Sequence, residues 1–312
     1  MNRITVIGAG NVGATCANVI AHKDLVKEVV IVDIKEGLAE GKALDIWQTS
    51  SINGFNTRVV GSTDDYTKTA GSDIVIITSG LPRKPGMSRD DLIKTNAGIV
   101  KDVTEKAVKH SPDAIFIIVS NPLDVMSYAA FLASKRPSNK VFGMAGILDT
   151  GRYKAFLAEA LDCSPNDIQA MLLGGHGDTM VPLPRYTTVS GIPLTELLGE
   201  DEIEKIVDRT RKGGGELVNL MGTSAWYAPG AAAAQMAEAI VKDQNRVFPV
   251  CTYLKGEYGI KDIYLGVPVK LGKNGIEEVI EIDLNEDENT LLQDSAKSVK
   301  VVMEVLDDMK MF

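Results

Sequence analysis

The sequence predicts an α/β fold in which a doubly wound parallel sheet is followed by an α+β region. Three observations support this prediction. Short β-branched runs alternate with helical stretches up to about residue 145, a glycine-rich turn joins the first run to the first helix, and mixed short strands and long helices follow. Strands without polar alternation are typical of a parallel sheet that helices cover on both faces.

The first half of the chain contains six candidate strands and four candidate helices. The strands are residues 4–7, 29–32, 57–60, 73–78, 114–119 and 141–142. The helices are residues 12–20, 37–48, 91–109 and 124–134. In a doubly wound sheet, ligands bind beyond the carboxyl ends of the strands. We therefore expect a ligand-binding domain of residues 1–145, with its functional side chains in the loops that follow the strands.

The second half predicts an α+β domain over residues 146–312. Helical patterns cover residues 150–161, 202–221 and 231–242, a strand pattern covers 168–173, and a hairpin is expected from 263–271 and 278–283. The last helix has an apolar stripe of Leu292, Val299, Val302 and Leu306. Glycines 213–215 fall inside a helical pattern, where each costs about 1 kcal/mol relative to alanine. They indicate a kink or close packing.

Composition excludes several classes of function. The chain has 312 residues, of which 45% are hydrophobic and 24% charged, which are ordinary globular values. A net charge of −9 argues against nucleic acid or an acidic membrane surface as partner. No apolar run approaches the roughly 18 residues of a membrane span. Because the first strand starts within a few residues of Met1, we expect no targeting peptide.

The cysteines and histidines predict neither disulfides nor a metal site. Cys16, Cys163 and Cys251 are far apart and odd in number, as is typical of reduced thiols in a cytoplasmic protein. The three histidines are scattered along the chain and form no ligand set with the cysteines. We therefore expect a cytoplasmic protein without a bound metal.

A nucleotide-binding fingerprint follows the first strand. Gly8, Gly10 and Gly13 form a G-x-G-x-x-G turn between strand and helix, and Asp33 ends the second strand twenty residues after Gly13. The glycines would allow a tight turn, an approach to a pyrophosphate and close helix packing. Asp33 would bind the adenosine ribose and repel a 2′-phosphate, so we expect NAD in a Rossmann-type domain. The alternative for the glycines is a purely structural turn without a ligand, and the alternative for Asp33 is a solvated carboxylate at the end of a strand.

One histidine lies among glycines and is the candidate acid–base residue. His176 is part of Gly-Gly-His-Gly-Asp at 174–178, whereas His22 and His110 lie at the ends of predicted helices. A lone histidine is more often structural than catalytic. The upstream Asp149, however, would fix the imidazole tautomer and stabilise its charged form. We therefore predict that this pair exchanges a proton while a hydride moves to or from a small anionic carbonyl compound.

Positive side chains near these motifs are expected to bind the anion. Arg152 follows Asp149 by three residues, so one helical turn would put both on one face, and its planar guanidinium suits a carboxylate. Residues 80–89 follow the fourth strand, carry three positive charges and predict a lid. Asn121 ends the fifth strand and would bind substrate or nicotinamide ribose. The alternatives are a surface salt bridge for Arg152, a basic surface loop for residues 80–89 and an ordinary Asn-Pro turn for Asn121.

Together these motifs resemble the lactate/malate dehydrogenase superfamily over essentially the whole chain. The resemblance lies in residues 8–13 with Asp33, and in 82–89, 120–122, 148–152 and 174–178. It implies that His176 is the proton donor and acceptor, and that Arg152 binds the C1 carboxylate of the substrate. Arg89 is then expected to polarise the carbonyl oxygen in the closed state. The implied cofactor site consists of Gly8, Gly10, Asn11, Val12, Gly13, Asp33, Asn96, Val119 and Asn121.

Position 83 separates substrates within this family. The lactate enzymes usually have glutamine there, whereas this chain has Arg83, which would pair with the second carboxylate of oxaloacetate but remain unpaired with pyruvate. Ala225 aligns with a small residue of the pocket wall. The resemblance is therefore closest to the lactate-dehydrogenase-like malate dehydrogenases. It implies NAD-dependent interconversion of malate and oxaloacetate in the tricarboxylic acid cycle by a homodimer or homotetramer. An L-lactate dehydrogenase and a non-catalytic NAD-sensing module remain as alternatives.

Overall fold

The structure is a computed structural model that describes residues 1–82 and 88–312. Elements of the first half are β1 (Arg3–Ile7), α1 (Asn11–His22), β2 (Glu28–Asp33), α2 (Leu38–Gln48), α3 (Ser50–Asn53), β3 (Arg58–Thr63), β4 (Ile74–Ile77), α4 (Arg89–His110), β5 (Ile115–Ile118), α5 (Leu123–Ser134) and β6 (Val141–Gly143). The second half has α6 (Gly146–Leu161), β7 (Ile168–Gln169), β8 (Leu172–Gly174), β9 (Met180–Pro182), β10 (Thr188–Val189), β11 (Ile192–Pro193), α7 (Glu200–Met221), α8 (Tyr227–Val241), β12 (Arg246–Lys255), β13 (Lys261–Gly272), β14 (Gly275–Val279) and α9 (Glu286–Asp308).

Eleven strands of the described residues form one mixed sheet. Its order is β3-β2-β1-β4-β5-β6-β12-β13-β8-β9, with β14 beside β13. The pairs from β3 to β6 are all parallel, whereas the later strands pair antiparallel. The first six strands thus have the doubly wound order, and their carboxyl ends share one edge of the sheet. The predicted fold class is confirmed.

The parallel strands are buried because their side chains are almost all apolar and β-branched. Every residue of β4 and of β5 is buried. Burying one such side chain stabilises the fold by about 1.5–3 kcal/mol. The apolar interiors of these strands leave the polar residues of a site to the strand ends, the loops beyond them and the helices.

A second, smaller apolar core packs α6 against α7. Tyr153 and Leu157 of α6 belong to one cluster with Ile203, Ile206 and Val207 of α7. This core holds the helix whose first turns carry Asp149 and Arg152. Within residues 1–82 and 88–312, no helix combines the length and apolarity that crossing a membrane requires.

The largest difference from the sequence prediction is β12, a ten-residue strand that the sequence patterns miss. Pro249 interrupts this run, and proline is unusual inside a sheet because it has no N–H to donate. In the structure Pro249 lies opposite Pro268 of β13. The predicted partner of β13 at residues 278–283 is also displaced, since β14 begins at Gly275 and its register shifts between Lys270 and Leu271. The predicted strand 168–173 is divided into β7 and β8.

Candidate active site

A cavity of about 320 Å³ lies where the loops after the parallel strands meet the loop between β8 and β9. Its polar lining includes Asn121, Arg152, His176 and Arg211. Its apolar walls are formed by Val12, Val119, Leu123, Met144, Leu148, Val218, Ala225 and Pro229. The cavity therefore combines predicted substrate, catalytic and cofactor residues, and Ala225 lies in its wall.

Asp149 holds the ring of His176. The Nδ1 atom of His176 lies 2.8 Å from Oδ2 of Asp149. Asp149 is 2% exposed and lies in the first turn of α6, where the helix dipole favours a negative charge. With Nδ1 bonded to the carboxylate, Nε2 is left for a substrate oxygen. The structure brings together the two residues that the sequence predicts as an acid–base pair.

The surroundings of His176 favour the charged ring. Burial lowers the pKa of the imidazole, but the charge of Asp149 and its hydrogen bond raise it, and Asp124 adds to the increase. Arg152 acts in the opposite direction, and the resulting pKa lies above the ordinary value for histidine. A ring with a raised pKa retains its proton to higher pH and can donate it to a developing oxyanion.

Arg152 presents a guanidinium to the same cavity. Its Nη1 lies 3.3 Å from Oδ1 of Asp149, and its side chain is 14% exposed. Its buried Nε atom has no hydrogen-bond partner among the described residues. A buried donor without a partner is costly, and a ligand carboxylate would satisfy it. The geometry therefore suits the binding of a small anion.

Two of the three consecutive glycines of α7, Gly213 and Gly214, pack against Arg152. A Cβ atom on Gly213 would lie 3.3 Å from Cδ of Arg152, and one on Gly214 would lie 3.8 Å from Nη1. The helix is continuous from Glu200 to Met221. Of the two explanations for this glycine run, the structure shows close packing.

A second cavity of about 580 Å³ shares Asn121 and His176 with the first. Arg89, the first residue of α4, lines it together with residues of α9. Ser88 and Asp91 form a capping box that fixes the start of α4. Arg89 and His176 therefore border one cavity. The predicted substrate residue Arg83 lies outside the described residues.

Asn96 connects the loops that follow β4 and β5. Its Nδ2 donates to the main-chain oxygen of Asn121 at 2.7 Å and to that of Leu81 at 3.1 Å. Its Oδ1 accepts the main-chain N–H of Leu81 at 2.8 Å. The side-chain amide is thus engaged with main-chain groups and holds Asn121 at the cavity. A direct contact of Asn96 with the cofactor stays a prediction.

The glycine-rich turn between β1 and α1 has the geometry that a dinucleotide requires. Gly8 has a φ of +106°, in the region that favours glycine. A Cβ atom on Gly13 would lie only 1.9 Å from the main-chain oxygen of Gly8. By contrast, nothing lies within 4 Å of a Cβ atom built on Gly10. The free amides at the start of α1, where Asn11 and Val12 lie, are suited to a phosphate.

Asp33 is fixed at the carboxyl end of β2, beside a cavity of about 290 Å³. Its Oδ2 accepts the main-chain N–H of Ala9 at 2.6 Å, and its Oδ1 accepts that of Lys35 at 2.9 Å. The cavity is lined mainly by apolar side chains, among them Ile7, Val32, Ile34, Leu38, Ile99 and Val103. Apolar walls with one oriented carboxylate fit an adenosine group, because the base needs apolar contacts and the ribose needs an acceptor.

Arg211 and Asp124 are charged residues of the site that the sequence does not predict. Arg211 lines the first cavity, and its Nε donates to the main-chain oxygen of Met180 at 3.3 Å. Its position just before the glycines of α7 is the sequence signal that could have identified it. Asp124 is buried next to His176, and its signal is an acidic residue at the start of an otherwise apolar helix. Among the described residues, no group of three His, Cys, Asp or Glu is arranged for a metal ion.

Family models match two consecutive parts of the chain. The lactate/malate dehydrogenase NAD binding domain matches residues 2–143. The lactate/malate dehydrogenase alpha/beta C-terminal domain matches residues 147–309. The first match contains the glycine-rich turn and Asp33, and the second contains Asp149, Arg152 and His176.

Individual relatives are similar along nearly the whole chain. A malate dehydrogenase of Cytophaga hutchinsonii is 68% identical over 305 residues, which are 98% of each chain. The malate dehydrogenase structure from Salinibacter ruber has a TM-score of 0.95 and 57% identity, covering 99% of this chain and 98% of that one. A Cryptosporidium parvum lactate dehydrogenase, complexed with lactic acid and nicotinamide adenine dinucleotide, has a TM-score of 0.94 and 40% identity, covering 98% of both chains.

Proposed function

The chain belongs to the lactate/malate dehydrogenase family, and on that premise we propose that it catalyses the NAD-dependent interconversion of malate and oxaloacetate. The first part of the chain is the NAD-binding domain of that family. The observation that carries the proposal is the arrangement around Asp149, whose two oxygens lie 2.8 Å from His176 Nδ1 and 3.3 Å from Arg152 Nη1. A proton donor and an anion-binding group beside one cavity are what the reduction of a 2-oxo acid requires.

An NAD molecule held by the glycine-rich turn and Asp33 would supply a hydride from its nicotinamide in reduction and would accept one in oxidation. During reduction, the His176 imidazolium donates its proton from Nε2 to the carbonyl oxygen of the substrate. During oxidation, the neutral ring accepts the hydroxyl proton at the same atom. Asp149 stabilises the charged ring and keeps Nε2 directed toward the substrate. Arg152 binds the C1 carboxylate, and its position beside Asp149 sets the distance from that carboxylate to the proton donor.

We assign two further arginines, Arg89 and Arg83, by their charge. Arg89 borders a cavity with His176, which supports a role in polarising the carbonyl oxygen. We assign Arg83 to the second carboxylate of the four-carbon substrate. A guanidinium at each end of the substrate matches a dianion, whereas pyruvate would leave one charge without a partner. The similarity to malate dehydrogenases supports this choice over the L-lactate alternative.

A substrate comparison tests the proposal. We expect kcat/KM to be higher with oxaloacetate than with pyruvate by roughly 10²-fold or more, as a buried unpaired charge would cause. Arg83→Gln should reduce this preference, mainly by lowering kcat/KM for oxaloacetate. Lys84→Gln is the matched control, because it removes a neighbouring positive charge and should leave the preference unchanged. A wild-type enzyme that preferred pyruvate would instead be a lactate dehydrogenase.

We also propose that residues 1–145 and 146–312 are the cofactor and catalytic domains. The junction would fall between β6, which ends at Gly143, and α6, which begins at Gly146. We propose a cytoplasmic protein of the tricarboxylic acid cycle. The described cysteines, which include the buried Cys16 and Cys251, are all free, as suits a reducing compartment.

A homodimer or homotetramer is the assembly we propose. Ile52 of α3 and Leu220 of α7 are 81% and 76% exposed, and exposed apolar side chains of this size favour an interface. Other large exposed apolar residues close to them in the sequence are Leu44, Trp47, Val218, Met221 and Tyr227. Light scattering would test the assembly, since a mass of 33.5 kDa, that of one chain, would contradict it.

A further inference from the structure

A second buried carboxylate, that of Asp124, lies beside His176. Asp124 is 8% exposed and occupies the first turn of α5. Its Oδ2 accepts the main-chain N–H of His176 at 3.1 Å. Its Oδ1 accepts the thiol of Cys251 on β12 at 3.2 Å. A buried carboxylate is costly unless it is paired, and one of its two partners here is the proposed proton donor.

Three helices hold consecutive groups of the catalytic loop, which comprises residues 175–179 between β8 and β9. Ser295 of α9 accepts the main-chain N–H of Gly175 at 2.8 Å. Asp124 of α5 accepts the next N–H, that of His176, and Asp149 of α6 binds the ring. A Cβ atom on Gly175 would lie 2.7 Å from Cγ2 of Val299, so glycine leaves room for the close packing of α9 against this loop. The main chain and the ring of His176 are therefore held by different carboxylates.

Asp124 lies close to Asn121 along the chain. Asp124 and Asn121 are three positions apart, and Asn121 lines both cavities with His176. We propose that Asp124 is a positioning residue for the proton transfer. It fixes the main chain of His176 relative to the Asn121 loop, and its negative charge favours the cationic ring. This inference rests on the proposed function of His176.

The charges near the ring allow the contribution of Asp124 to be isolated. Burial and Arg152 lower the pKa of the His176 ring, whereas Asp149 and then Asp124 raise it. Burial raises the pKa of the Asp124 carboxyl, and its bonds to Cys251 and His176 oppose that increase. The other charged groups that line the two cavities are Arg89 of α4, Asp178 of the catalytic loop and Arg211 of α7. Removing the charge at position 124 is therefore expected to lower the pKa of the ring.

Nuclear magnetic resonance of the full-length protein labelled with ¹⁵N-histidine tests the proposal. The chain has three histidines, so the spectra are simple, and His22→Gln and His110→Gln assign the signals of His176. In Asp124→Asn we expect the pKa of the ring to fall by roughly half a pH unit or more. The alkaline limb of kcat/KM for oxaloacetate should move to lower pH in the same variant.

Cys251→Ser is the matched control, because it keeps a hydrogen-bond donor next to Oδ1 of Asp124. In this variant the pKa of the His176 ring should equal that of the wild type. An unchanged ring titration in folded Asp124→Asn overturns the proposal. Because the titration requires no turnover, that result leaves the proposed reaction intact. Conversely, the expected fall in the pKa of the His176 ring, found in a protein without activity on malate or oxaloacetate, would contradict the proposed reaction alone.

The wild-type protein provides a second measurement in case Asp124→Asn does not fold. The chemical shift of the His176 main-chain amide should change once when the ring titrates and again at lower pH, when Asp124 takes up a proton. An amide signal that follows only the ring titration overturns the proposal. The two measurements together decide the role of Asp124 whether or not the variant is stable.

Discussion

The cofactor loop, which comprises residues 8–13, and the catalytic loop both depend on glycine, but different contacts hold them. In the cofactor loop Gly13, in the first turn of α1, packs against the main chain of Gly8, five positions away, and Asp33 comes from the next strand. Around His176 the partners are distant in sequence, since Asp149 is 27 positions away and Asp124 is 52. One site is formed by local backbone geometry and the other by buried charges from separate helices.

This difference determines what a substitution does at each site. At Gly13 of the cofactor loop an added methyl group must displace the backbone of Gly8, so binding and stability change together. In the catalytic loop a side chain can be replaced by one of similar shape, which removes charge or proton transfer while the fold persists. The two sites can therefore be distinguished by measuring cofactor affinity, turnover and stability in the same variants.

The largest expected effect is that of His176→Asn on turnover. Asparagine cannot supply the proton, so kcat for oxaloacetate reduction should fall by about 10²- to 10⁴-fold. The affinity for NADH, measured by fluorescence titration, should stay unchanged because the cofactor loop is untouched. His22→Asn is the control, since His22 lies at the end of α1 outside the described cavities. A His176→Asn variant as fast as the wild type would remove the proposed mechanism.

The sequence predicts those parts of the site that lie close together along the chain. The glycine turn and Asp33 belong to one βαβ unit, so their spacing already indicates their arrangement. Asp149 and Arg152 are one helical turn apart, so a shared helix face suffices to bring them together. Asp124 is different, because its position next to Cys251 depends on β12 packing beside β6. No local pattern contains that information.

The same distinction applies to the fold. The parallel strands are continuous β-branched runs, and β2 lies within two residues of its predicted bounds. β12 was missed because Pro249 breaks the strand pattern, although in the sheet it lies opposite another proline. The position of β14 depends on a register shift at Lys270 and Leu271, which hydrophobic periodicity does not reveal.

A smaller effect is expected from Gly13→Ala in the cofactor loop. The new Cβ atom would lie 1.9 Å from the Gly8 oxygen, so the turn must move. We expect a loss of about 1–3 kcal/mol of stability. We also expect the Kd for NADH to rise by roughly tenfold or more, since each 1.4 kcal/mol is a factor of ten. Thermal unfolding and fluorescence titration measure the two effects.

Gly41→Ala in α2 is the matched control, because nothing lies within 4 Å of the added Cβ atom. Alanine is the better helix former, so this variant should be as stable as the wild type or more stable by up to about 1 kcal/mol. Wild-type stability and NADH affinity in Gly13→Ala would mean that the turn tolerates a side chain. The contrast between the two sites would then disappear.

The smallest effect is expected at Asp33, which accepts hydrogen bonds from the main-chain N–H groups of Ala9 and Lys35. Asp33→Ala removes the charge that would repel a 2′-phosphate and the acceptor for the ribose. The ratio of kcat/KM for NADH to that for NADPH should fall by roughly tenfold or more, since a hydrogen bond to a charged group contributes about 1.5–3 kcal/mol and each 1.4 kcal/mol is a factor of ten.

Asp33→Asn separates the two contributions, because it keeps an acceptor of the same shape and removes the charge. Both variants should gain activity with NADPH, since repulsion is lost in both. Only Asp33→Ala should also lose most of its affinity for NADH, because asparagine can still bind the ribose and the N–H of Ala9. An unchanged preference ratio in both variants would contradict the ribose role of Asp33. Cofactor selectivity would then have to arise from the backbone of the glycine turn alone.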